Sequence, residues 1–155
     1  NLIAPHAAMT LACLDDVDRQ IENNKKRFYT YRELLKDVKG IELVEYATHE
    51  RRSFKNILVK LTAEWPYTRE ETLLILQKEN MVVRPYYYPP LHLKETVYPV
   101  IVGDMTNTSL LMTNHMLLPC GEFVSENDIK TIVEYFKFLE TNHVTVKNSL
   151  KTNLN

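Results

Sequence analysis

An apolar side chain returns at every seventh position from Ala7 through Leu14, Ile21 and Phe28 to Leu35. A second row runs through Val17, Tyr31 and Val38, with Asn24 interrupting it. This spacing, about 3.5 to 3.6 residues per turn, predicts one long helix with a continuous apolar stripe. Pro5 suits its first turn and Gly40 its C-terminal cap. Asp15, Asp16, Asp18, Glu22, Lys25 and Lys26 occupy the opposite face. A stripe of roughly nine turns has to be covered by something. A coiled coil would do this, but strand-like sequence follows directly, so a helix along one side of an α/β domain fits better.

The alternating Ile41–Tyr46 predicts a strand, and 53–62, carrying Phe54, Ile57, Val59 and Leu61, predicts a second one. Pro66 breaks the chain, and Thr68-Arg69-Glu70-Glu71 has the form of a capping box that opens a helix to about Asn80. Met81–Arg84 reads as a third strand, 96–103 as a loop or a helical turn, and 107–114 as a short helix. Met116–Leu118 is a buried strand ended by Pro119. Ser125-Glu126-Asn127-Asp128 then caps an amphipathic helix bearing Ile129, Ile132, Val133, Phe136 and Leu139. From 143 to 155 the composition turns to Lys, Asn, Thr and Ser, and a flexible polar tail is expected. The fold class is α+β: a small, mostly antiparallel sheet with the long N-terminal helix and further helices packed on one face. Residues 1–142 form its single domain.

The net charge of −1 gives no electrostatic reason for nucleic acid or an anionic membrane as partner. Apolar residues make up 45% of the 155, enough for a core, yet no run approaches the ~20 needed to span a bilayer. Cys13 and Cys120 are too few for a disulfide framework, so a reducing, cytoplasmic setting is expected. The chain begins at Asn1 without a charged-then-apolar leader, and is expected to be part of a longer polypeptide.

Polar and aromatic chemistry concentrates in Met81–His92, MVVRPYYYPPLH. Prolines 85, 89 and 90 lack amide donors and drive this segment out of regular structure. On an extended backbone Tyr86, Tyr87 and Tyr88 alternate in direction, so at least one phenol must meet solvent, a ligand or another chain. Arg84 can grip a carboxylate or phosphate, and His92 brings an imidazole that can donate or accept a hydrogen bond.

Three passages, in order, resemble the C-terminal portion of the DegT/DnrJ/StrS sugar aminotransferases, a branch of the fold type I pyridoxal-phosphate enzymes. They are APHAAMTLACLDDVDRQIENNKKRFYTYRELL, TREETLLILQKENMVVRPYYYPPLH and HMLLPCGEFVSENDIKTIVEYFKFL. The resemblance covers roughly residues 2 to 140, and the tyrosine passage is its most specific part. Leu2 stands where many relatives carry Arg or Lys, and Asn80-Met81 where many have Gly-Ile. The resemblance implies the small domain of a homodimeric transaminase that moves an amino group from a glutamate-like donor to the keto group of a nucleotide sugar. It further implies an N-terminal large domain holding pyridoxal phosphate and its Schiff-base lysine. Neither is in this chain, which is expected to bind no cofactor and to be inactive alone.

Under that reading Arg84, Tyr86, Tyr87, Tyr88 and His92 bind substrate as one wall of the cleft, and no catalytic residue lies here. Lys55 superficially looks like a cofactor lysine, but its alternating strand and missing cradle mark a surface lysine. His6, His49, His115 and His143 share no ligand spacing, so no metal site is expected. Cys120 has no paired His beside it and is not read as a nucleophile. An alternative is a non-catalytic interaction or regulatory module that keeps this fold. A nucleic-acid module stacking bases on the tyrosines conflicts with the charge balance.

Overall fold

The computed structural model describes residues 4–47 and 49–153. The N-terminal stripe lies on two helices rather than one, α1 (Ala4–Asp15) and α2 (Val17–Leu35). At the break the Asp16 amide donates to the Cys13 carbonyl, three residues back, and the Asp16 carboxylate takes two bonds from Arg19, both 2.5 Å. The Asp16 side chain caps no backbone amide of α2, which begins instead with the Gln20 amide donating to the Asp16 carbonyl at 3.1 Å. Only the lower half of the stripe is core. Phe28, Tyr31, Leu35 and Val38 are buried, Ile21 is half-buried, and Leu14 and Val17 are exposed. No residue of α1 is buried.

α2 ends at Leu35, so Gly40 is not its cap. Gly40 sits at φ +80°, accepts from the Thr62 amide at 2.8 Å, and passes close to the backbone of Trp65. It is the turn into β1 (Ile41–Leu43), which pairs with β2 (Ile57–Leu61). The remaining strands are β3 (Arg84–Pro85) and β4 (His115–Leu118), and all pairings in the order β1-β2-β4-β3 are antiparallel. The strands are shorter than the alternation predicts. Phe54 takes a left-handed φ of 50° ahead of β2, and β3 loses Met81 to Val83, where the Val83 amide donates to the Met81 carbonyl at 2.8 Å in a tight turn. An edge position is where a strand tolerates proline.

α3 (Arg69–Lys78) opens on the Thr68–Glu71 capping box and α5 (Glu126–Thr141) on the Ser125–Asp128 box, both closed in each direction. Between them lie a 3₁₀ turn (Leu91–Leu93), an irregular stretch over 96–103, and α4 (Thr106–Asn114). α2 and α5 pack together, and Tyr31 ties α2 to the chain after β4 through its hydroxyl, which donates to the Pro119 carbonyl at 3.0 Å. Ile57, Val59, Leu76, Met116, Ile129, Phe136 and Leu139 are fully buried between sheet and helices.

The expected polar tail is helical: α6 spans His143–Asn153. Val146 and Leu150, four residues apart, put one apolar edge of it against the core. Two apolar side chains at helical spacing outweigh a polar average composition.

Candidate functional site

Beyond β3 the Tyr86 amide donates to the His115 carbonyl at 3.2 Å, which carries the ladder one residue further. The chain then turns. Tyr87 holds a left-handed φ of 44°, rare for a bulky residue, and its ring meets the Tyr86 ring edge-on at 4.5 Å between centroids. Tyr87 is 69% and Tyr88 61% exposed, while Tyr86 is half-buried.

This loop forms one wall of a cavity of about 820 Å³. Tyr86, Tyr87, Tyr88, the two prolines, Leu91, His92 and Lys94 face Met105, Thr108, Leu111 and Met112 across it. Four of the five substrate-binding candidates thus share one space. Arg84 does not join them. It lines a separate cavity of about 480 Å³ with Lys55, Asn56, Cys120 and Phe123. Lys94 and the α4 wall escaped the sequence reading. Met105, Thr108 and Met112 recur at three- and four-residue spacing, a signal that marks one helix face but not which face lines a cavity.

The lining of the larger cavity offers apolar walls, three phenols that stack and hydrogen-bond, one imidazole and one ammonium, and no carboxylate. Such a set suits a ligand with rings and negative charge. Tyr46 lies near Tyr86, and burial followed by that neighbour pushes its phenol above the ordinary tyrosine value.

The other titratable groups named above lie elsewhere. Lys55 is exposed and stands in the loop before β2 rather than within a strand. Cys120 donates weakly to the Phe54 carbonyl at 3.6 Å, and burial pushes its thiol up, away from the thiolate a nucleophile needs. His115 is buried on β4 with its Nδ1 2.7 Å from the Asn114 side-chain oxygen. A pyridoxal-phosphate holder needs a desolvated lysine, an acid for the pyridine nitrogen and a phosphate cradle. The tyrosine cavity brings an exposed Lys94 and no acid, so its lining does not fit as a holder for that cofactor.

Residues 1–137 match the DegT/DnrJ/EryC1/StrS aminotransferase family. The dTDP-4-amino-4,6-dideoxy-D-glucose transaminase of Shigella dysenteriae is 25% identical over 129 residues, 83% of this chain and 35% of that protein. Among solved structures, DesI in the presence of its TDP-sugar product superposes with a TM-score of 0.83 at 22% identity, over 94% of this chain and 38% of its own. A DegT DnrJ EryC1 StrS aminotransferase from Brucella abortus gives a TM-score of 0.72 at 24% identity, over 87% and 35%. The chain therefore spans little more than a third of the length of these relatives. Fold, motif order and a match over residues 1–137 agree, and the chain belongs to the DegT/DnrJ/EryC1/StrS aminotransferase family.

Proposed function

We propose that this chain is the small domain of a pyridoxal-phosphate-dependent nucleotide-sugar aminotransferase and supplies one wall of its substrate cleft. The observation carrying this reading is the cavity in which Tyr86, Tyr87, Tyr88, His92 and Lys94 converge without a carboxylate. A nucleotide sugar brings rings for the phenols to stack on and a diphosphate for the imidazole and the ammonium to meet. Arg84, which lines the other cavity, is left out of this wall. Pyridoxal phosphate supplies the amino-group relay when bound, held by residues outside this chain. The chain's own part is orientation: holding the sugar so that its keto carbon faces the amine, which can govern rate without any covalent role.

The partners on this reading are a large domain and a second subunit. Met9, Leu11 and Leu14 of α1, with Val97, Ile101 and their neighbours, are the exposed apolar side chains they would cover. No helix among the described residues is long and apolar enough to cross a membrane.

Amino transfer from glutamate to a nucleotide-linked keto sugar by the complete polypeptide tests the reading. Tyr88→Leu and His92→Ala are expected to raise KM about tenfold with a smaller change in kcat, as loss of binding contacts does. The 155-residue chain alone is expected to turn over nothing. Unchanged KM in both variants would remove the tyrosine cavity from the substrate site. A complete polypeptide with no transfer at all would favour a non-catalytic module.

A further inference from the structure

Among the described residues one buried polar side-chain atom has no hydrogen-bond partner, Nη1 of Arg69. Arg69 is 5% exposed and is the first residue of α3. Its Nε and Nη2 both donate to Glu70 Oε1, at 3.0 and 2.6 Å. That single oxygen neutralises one edge of the guanidinium and leaves the other without an acceptor. The location is also poor for a cation, since the positive end of the helix dipole lies there. Burying an arginine at a helix N-terminus with a donor unspent calls for a neighbour that hydrogen bonding does not record.

That neighbour is the face of Tyr88. The Arg69 Cζ lies over its ring, 5.6 Å from the centroid, within the range of a cation–π contact. Backbone hydrogen bonds do little to hold the tyrosine loop. Prolines 85, 89 and 90 bring no amide donors, and among the described residues Tyr87 and Tyr88 make no backbone–backbone hydrogen bond. Pro90 is buried and the Tyr87 ring rests on that of Tyr86, but the Tyr88 ring reaches the body of the fold through its contact with Arg69.

We propose that Arg69 is the positioning residue of the tyrosine cavity: its buried guanidinium, held from one side by Glu70, carries the ring of Tyr88 and so sets the wall that meets the ligand. Arg69 itself lies outside the cavity lining and acts through Tyr88. The contact stands independently of the activity, whereas its consequence for substrate rests on the function proposed above.

Two arms keep these apart. In the 155-residue chain, nuclear magnetic resonance of the arginine side-chain N–H groups reads the contact, because an aromatic face shields protons placed over it. Tyr88→Leu is expected to shift the Arg69 signals downfield, while Tyr87→Leu leaves them in place. Tyr88 is exposed, so this variant does not disturb the core. In the complete enzyme, Arg69→Met is expected to raise the nucleotide-sugar KM about tenfold with kcat within about twofold, and Arg69→Lys to restore most of the loss. Arg69 signals unmoved by Tyr88→Leu would overturn the proposal whatever the enzyme's activity. Signals that move while Arg69→Met keeps the KM of the parent would also overturn it, leaving a contact without a positioning role.

Discussion

Gly40 and Gly121 both adopt positive φ, at +80° and +133°, but they face different surroundings. A Cβ at Gly40 would come within 2.3 Å of the Trp65 amide nitrogen, and one at Gly121 would meet nothing within 4 Å. Gly40→Ala is therefore expected to cost more than about 2 kcal/mol, and Gly121→Ala roughly 1 kcal/mol from backbone conformation alone. Paired urea titrations check the difference, and equal costs would show that the Trp65 approach does not matter. His115 makes a pH prediction. Burial, and more weakly the charge of Lys60, hold its pKa below the usual histidine value, while a bond with the Leu111 backbone opposes this. Across the interval between that lowered value and about 6.5 the unfolded chain binds more protons, so stability rises with pH there. Lowering the pH from 7.5 to 5.5 is expected to destabilise the chain, and His115→Gln to flatten the response, both read by urea midpoints.

Helix starts were the most legible elements, because a capping box is a local chemical device written in four residues. Thr68–Glu71 and Ser125–Asp128 both close as read. The Ser125 pair also shows its charge, since bonds from the Ser125 side chain and backbone hold the Asp128 carboxyl below its ordinary value. Ser125→Ala is expected to cost about 1 kcal/mol in thermal or urea unfolding. Less was legible where an element depends on what lies across from it. The heptad row through Ala7 and Leu14 marks a face to be covered, yet α1 has no buried residue in this chain. The same limit applied in reverse to residues 143–153, whose polar composition hid the Val146–Leu150 pair that docks α6. Lys147 adds a cation over the Tyr67 ring at 5.8 Å, and the Tyr67 phenol is pushed up to about 12, chiefly by burial. Ending the chain after Asn142 is expected to destabilise it by roughly 1–3 kcal/mol. An unchanged melting temperature would restore the reading of a dispensable tail.

For the molecule as a whole, the α+β class and the order of elements could be read because each element carries its own periodicity or cap. Site assembly could be read only in part. Tyr86, Tyr87, Tyr88, His92 and Lys94 are close in sequence and share a cavity almost by necessity, whereas Arg84 lines another and Leu111 and Met112 arrive through tertiary folding. Phenols, α1 and apolar side chains along 97–102 are exposed. On the function proposed above, this surface is one wall of a larger site. Hydrogen exchange, compared between this chain alone and the complete polypeptide, tests that directly. Amides of residues 7–14 and 86–112 are expected to exchange at least about tenfold more slowly in the complete protein, while core amides such as those of Val59 and Met116 change little. Equal rates over both segments in the two proteins would contradict it.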